Sequence, residues 1–246
     1  MSEQLVFGLH AVSALLSNEN RLIKQLYVSQ DRKDSRMNEL LTQAQTLGVH
    51  VIQLSTQKMN KQFSECNHQG IVALTEKLPE YTEKDIQSLL GECKSAAFIL
   101  VLDGVTDPHN LGACLRSAEA AGVDFVVIPK DKSATITPVV SKVASGAAET
   151  MPLVRVTNLV RAIEQIKKEG VWVYGAAGES PNTLYALDLK GPVAMVMGAE
   201  GSGLRRLTRE HCDDLYNLPM SGVVSSLNVS VAAGISLFET VRQRSI

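Results

Sequence analysis

At 246 residues, 45% of them hydrophobic, the chain is long enough for one large or two modest domains, and its apolar content excludes a disordered protein. A formal net charge of −2 excludes a surface coated in basic side chains, although a local basic groove balanced elsewhere stays compatible with a nucleic-acid partner. No apolar run reaches the roughly 18 residues that a membrane-spanning helix needs. The four cysteines (Cys66, Cys93, Cys114, Cys212) form neither a C-x-x-C pair nor a Cys/His cluster. The opening MSEQLVFGLHAV lacks the basic start and apolar stretch of a secretion signal. The expectation is a cytoplasmic chain with reduced thiols, no metal and no membrane partner.

The first third reads as a small α/β unit over residues 1–76. Hydrophobic spacing predicts a short helix at His10–Leu16, a strand at Ile23–Val28, and a helix from Ser35 closed by Gly48. A strand at Val49–Leu54, a short helix at Thr56–Phe63 and a strand at Ile71–Leu74 follow. Lys24, Arg32, Lys33, Arg36, Lys58 and Lys61 make the unit basic, with almost no aromatics beside them. That pattern suits phosphates of folded RNA better than stacked single-stranded bases, and it also describes an ordinary solvated surface. His68-Gln69-Gly70, just before a strand, reads as a turn, with a binding loop as the alternative. The charged, Pro79-bearing segment 77–95 is predicted as an interdomain linker, leaving 96–246 as the second domain.

In that second part, apolar runs predict strands at Phe98–Leu102, Phe125–Ile128, Leu153–Val156, Val171–Tyr174, Val193–Met197 and Leu215–Leu218. Helices are predicted near Asn110, at Pro138, at Leu159–Glu169 behind Asn158, and at Val229–Val241. The alternation implies a mostly parallel sheet covered on both faces. Three polar loops each follow an apolar strand. The first, in DGVTDPHNLGACLRSAEAAG from Asp103 to Gly122, sets Asn110 and Arg116 near the carboxyl edge of the sheet. Six helical residues turn through about 600°, so the two converge only if Asn110 lies in the loop or cap.

The second loop, Gly198-Ala199-Glu200-Gly201-Ser202-Gly203-Leu204, is glycine-rich without the G-x-G-x-x-G spacing of a dinucleotide site. Glu200 would repel a pyrophosphate, so a cationic or neutral ligand fits it better. In the third, Pro219 to Ser230, small residues and hydroxyls can present backbone groups to an adenine edge while Leu218, Met220 and Leu227 hold its faces. Ser226 or Asn228 would serve there as a helix N-cap. Helix capping explains any one of these loops; it is a strained explanation for all three.

Taken together, DPHNLGACLRSAEAAG, VMGAEGSGL and LPMSGVVSSLNVSVAAGI resemble, in order, the three motifs of the SpoU/TrmH group of SPOUT methyltransferases. The resemblance covers the whole chain. It implies a small L30e-like RNA-binding domain followed by an α/β domain whose carboxy-terminal segment forms a deep trefoil knot, a topology that periodicity cannot reveal. It also implies a homodimer, S-adenosyl-L-methionine as cofactor, and 2′-O-methylation of a guanosine in the peptidyl-transferase region of 23S ribosomal RNA. A tRNA D-loop guanosine, or an RNA-binding ribosome-assembly factor without chemistry, are the alternatives. By the same resemblance Asn110, Arg116, Glu200, Ser226 and Asn228 match the catalytic polar residues, and Gly198, Gly201, Leu218, Met220 and Leu227 hold the cofactor.

Overall fold

The computed structural model describes residues 3–18, 21–32, 34–64, 67–76 and 79–246; Lys33, Cys66 and the start of the expected linker at 77–78 lie outside them. Two units emerge, one ending at Pro79 and including Ser141–Thr150, the other made of Glu80–Val140 and Met151–Ile246.

In the first unit, β1 (Glu3–Phe7), α1 (Leu9–Leu16), β2 (Ile23–Ser29), α2 (Ser35–Thr46), β3 (Val51–Leu54), α3 (Thr56–Gln62) and β4 (Ile71–Glu76) follow in order. The strands form a mixed sheet, β1-β4-β2-β3, in which β2 and β3 are parallel and the β4 pairings antiparallel. Val12, Leu15, Met37, Leu40 and Ala44 bring α1 and α2 onto Leu26, Val28, Ile71 and Ala73 on one face. Met59 and Phe63 of the α3 region meet Val72, Phe7 and Tyr27 on the other, so the strands are sandwiched between helices. Local chemistry starts the helices: the Asp34 side chain accepts from Met37 N–H, and that of Ser55 from Lys58 N–H.

β1 was not among the predicted strands. It is a five-residue edge strand whose existence depends on pairing with β4, some seventy residues on, and not on its own pattern. His68-Gln69-Gly70 is the expected turn. Gln69 (φ 51°) and Gly70 (φ 83°) take left-handed conformations, and the buried His68 ring accepts from Gly70 N–H at 3.0 Å. Burial holds the His68 pKa below its ordinary value.

In the second unit, β5 (Tyr81–Thr82) and α4 (Ile86–Gly91) precede β6 (Phe98–Asp103), α5 (Pro108–Ala120), β7 (Phe125–Pro129) and α6 (Pro138–Ala144), which runs into the 141–150 segment. Then come β8 (Leu153–Val156), α7 (Leu159–Lys168), β9 (Trp172–Ala176), β10 (Val193–Gly198), α8 (Arg206–His211), β11 (Asp214–Tyr216) and α9 (Val229–Arg244). Seven strands lie in the order β11-β9-β10-β6-β7-β8-β5, and every pairing is parallel. The central strands are buried on both faces, which is why they read as continuous apolar runs. Ile99, Val101, Ala194 and Val196 join Ile163 and Ile166 of α7 on one side. Leu100, Leu102, Met195 and Met197 alternate to the opposite side, where α9 packs on β10 and against α5.

The expected linker 77–95 is largely structured. Tyr81–Thr82 adds the outermost strand beside β8, and Ile86 is buried in the core beneath α4. Its charges flank the uncharged helix IQSLLG at both ends, and composition alone cannot tell that from a linker. Nor is the expected domain at 96–246 one contiguous unit, because Ser141–Thr150 groups with the first. There the buried Glu149 carboxylate accepts from Gln4 at 3.3 Å and lies 3.6 Å from the Arg21 guanidinium. Burial raises the Glu149 pKa and lowers that of Arg21, each opposed by the charge of the other.

Candidate active site

Because all seven strands point the same way, the loops after β6, β10 and β11 leave from one edge of the sheet, its carboxyl edge. β6 and β10 are neighbours, with Asp103 opposite Gly198 in register. Strand order reverses at this seam, where open parallel sheets bind ligands.

α5 starts earlier than predicted. Asp107 is its N-cap, accepting from His109 N–H at 3.0 Å, and Pro108 occupies the first helical position, where a missing N–H costs nothing. Asn110 is therefore inside the first turn, not in the loop. The residue is only 7% exposed, and its side-chain amide donates to Glu200 Oε1 at 2.6 Å. Arg116 lies about 600° further round the same helix, exposed and without a hydrogen bond or ion pair among the described residues. The helix thus separates the two residues that were expected to converge.

The Gly198–Leu204 loop closes on itself. Ala199 and Gly203 exchange backbone hydrogen bonds (3.1 and 2.9 Å), leaving Glu200, Gly201 and Ser202 at the tip. A Cβ at Gly198 would stand 2.1 Å from the Gly203 carbonyl carbon and 2.3 Å from Leu204 N. That glycine is required by the loop's own backbone, where the sequence pattern suggested approach to a ligand. Gly198→Ala is expected to force the loop open and lower the melting temperature by several degrees, since overpacking costs about 1–3 kcal/mol. A thermal melt matching wild type would refute this.

Asn228 is the N-cap of α9; its Oδ1 accepts from Ser230 N–H at 2.9 Å and from the Ser230 hydroxyl at 2.7 Å. Its Nδ2 donates to Asn110 Oδ1 at 3.0 Å and to Glu200 Oε1 at 2.8 Å. Three residues, one from the first turn of α5, one from the loop after β10 and one from the N-cap of α9, thus share one hydrogen-bonded cluster across 28 to 118 positions of sequence. Glu200 Oε1 is held by two amides, and Oε2 has no hydrogen bond among the described residues. The arrangement presents a fixed negative charge and a free acceptor at the carboxyl edge. Ser226 is exposed and does not join it. Beneath the network, burial and then the Glu200 charge push the Cys114 thiol up to about 12, which keeps it protonated and unfit as a nucleophile.

Between β11 and α9, residues 218–227 make no backbone–backbone hydrogen bonds among the described residues. Leu218 is half-buried, while Met220 and Leu227 are 36% and 37% exposed. This run combines unpaired backbone donors and acceptors with accessible apolar side chains, as an aromatic heterocycle with a polar edge would require.

The SpoU rRNA Methylase family matches residues 97–238, and the family described as RNA 2′-O ribose methyltransferase substrate binding matches residues 5–81. The chain belongs to the SpoU rRNA methylase family. It is 53% identical over 241 residues (98% of this chain, 97% of the relative) to the 23S rRNA (guanosine-2′-O-)-methyltransferase RlmB of Pseudomonas putida. It is 51% identical over 244 residues (99% and 98%) to the RlmB of Vibrio vulnificus. In fold it is similar to the SpoU methyltransferase AviRb from Streptomyces viridochromogenes, solved in complex with AdoMet. That likeness has a TM-score of 0.80 at 23% identity and covers 99% of this chain and 91% of AviRb.

Sequence reasoning missed one feature of this SpoU site. Asp103, which ends an otherwise apolar strand, is buried and ion-paired with Arg205. A lone carboxylate closing a strand such as FILVLD was the available signal.

Proposed function

We propose that this chain transfers a methyl group from S-adenosyl-L-methionine to the ribose 2′-hydroxyl of a guanosine in 23S ribosomal RNA, the activity its half-identical relatives are named for. The observation that carries this reading is the convergence of Asn110, Asn228 and Glu200 at the seam between β6 and β10. The cofactor would lie over Gly198 and Gly201, with Leu218, Met220 and Leu227 on the adenine faces and the free backbone groups of 218–227 at its edge. When bound, it supplies a methyl carbon already activated by the sulfonium charge.

The protein's share of the work is then positioning and proton management. Asn110 and Asn228 fix the Glu200 carboxylate, whose free oxygen can orient a hydroxyl or balance a nearby positive charge. A guanidinium keeps its proton up to a pKa above ~12, so Arg116 is a poor base. Its role here is to hold an RNA phosphate and stabilise the developing alkoxide. Since Arg116 lies on another face of α5 from Asn110 and takes no part in its hydrogen bonds, the active assembly is read as a homodimer in which Arg116 serves the partner's site. The exposed Val231 and Phe238 on α9 offer apolar surface for that contact. A deep trefoil knot formed by the carboxy-terminal segment is part of the same proposal.

RNA docking is assigned to the first unit. Lys24 is tied to Glu3, Arg32 to Asp34 and Arg36 to His10, whereas Lys58 and Lys61 on α3 are exposed without ion partners among the described residues. Domain roles follow as RNA binding up to about residue 79 and methyl transfer beyond it.

Arg116→Ala is expected to bind S-adenosyl-L-methionine like wild type and to transfer no tritiated methyl to ribosomal RNA. Mixing it with Asn228→Ala chains should restore part of the activity, because one composite site of the mixed dimer is intact. A wild-type transfer rate in the single variant would end the assignment of Arg116. Wild-type chain that labels tRNA and not ribosomal RNA, or labels neither, would overturn the substrate or the chemistry.

A further inference from the structure

Glu200 can act only where its loop puts it, and the loop's two ends lead to the same residue. Its entry, Gly198, lies opposite Asp103 in the β10–β6 register. Its exit, Arg205, is bound by the Asp103 side chain itself: Oδ2 accepts the Arg205 backbone N–H at 2.9 Å, and Oδ1 takes the guanidinium through Nε and an ion pair. The Asp103 side chain is fully buried, whereas that of Arg205 is half exposed, so the pair stands at the boundary between core and site. Both carboxylate oxygens are used by one residue, 102 positions later in the chain. Arg205 is also the residue before α8, and its own side chain caps nothing there.

The chemistry argues for this being more than a filler contact. A buried carboxylate is costly unless paired and hydrogen-bonded, and a hydrophobic residue would close β6 at lower cost. What the carboxylate achieves is specific: it returns the chain to β6 after the turn at 199–203 and so fixes the span on which Glu200 is carried. We infer that Asp103 and Arg205 are positioning residues for methyl transfer, setting Glu200 against Asn110 and Asn228 without touching substrate or cofactor. This inference rests on the methyltransferase reading for its kinetic consequence, but not for its structural one.

The test uses the full-length chain. Arg205→Ala keeps the backbone hydrogen bond and loses the guanidinium; Arg205→Lys keeps the charge. In Arg205→Ala the Ala199 and Gly203 amides should exchange with solvent at least tenfold faster, with the β10 amides unchanged. kcat should fall about tenfold with little change in KM for the RNA, and Arg205→Lys should recover part of it. In a Glu200→Gln background the same substitution should cost nothing further, since the residue it positions is already lost. Unchanged exchange at Ala199 and Gly203 would overturn the inference, as would losses that multiply in the double variant. If wild type itself transfers no methyl, the functional reading fails while the exchange measurement still decides the role of Asp103 and Arg205.

Discussion

Asn228→Ala is expected to slow methyl transfer by about 10²–10³-fold, the range found when one preorganised polar group is removed from an active site. Its amide does two jobs with two atoms. Oδ1 caps α9 through Ser230, and Nδ2 holds both Asn110 and Glu200. Truncation therefore removes a helix cap, about 1 kcal/mol, and frees the Glu200 carboxylate. Asn228→Ser separates the two roles. Serine caps a helix nearly as well, so its melting temperature should return toward wild type, by about 2–4 °C relative to the alanine variant. It has no amide to offer Glu200, so its transfer rate should stay low. Should the serine variant regain full activity along with its stability, Asn228 would be a cap and nothing more.

The second large effect concerns stability. Arg244, near the end of α9, donates through Nε to Leu189 O (3.2 Å), through Nη1 to Ala96 O (2.9 Å), and through Nη2 to Ala97 O (3.1 Å) and Gly191 O (2.6 Å). Its guanidinium carbon also sits 4.8 Å over the Phe98 ring. Gln243 continues the same seam, accepting from Leu189 N–H and donating to Leu187 O. Four carbonyls at the amino ends of β6 and β10 thus converge on one planar cation, whose pKa burial holds below its ordinary value. No single ammonium can reproduce that fork. Arg244→Ala leaves those acceptors to water or to nothing, a loss of about 3 kcal/mol and roughly 6–12 °C in melting temperature for a chain of this size. Arg244→Lys should recover less than half. A denaturant or thermal melt within a degree of wild type would show that the seam is held by packing alone.

What could be read from the residues was what local physics controls. Strands buried on both faces must be apolar throughout, so FILVL, FVVI and VAMVM were visible as strands. Asn158 and Asn228 cap the helices they precede because the capping bond spans only two or three residues. The order of the three loop motifs was enough to suggest the family, and with it the residues to watch.

Tertiary structure decided where those residues stand. One local signal was passed over: Asp107 caps α5 because Pro108 accepts the first helical position, which places Asn110 in the helix and Arg116 on another face. Edge strands β1 and β5 owe their existence to distant partners, and so does the grouping of Ser141–Thr150 with the first unit. Most decisively, Glu200 meets Asn110 and Asn228, and Asp103 meets Arg205, across 28 to 102 residues of chain. Such pairings have no period and no local signal. They depend on the β6–β10 register, which only the folded sheet sets.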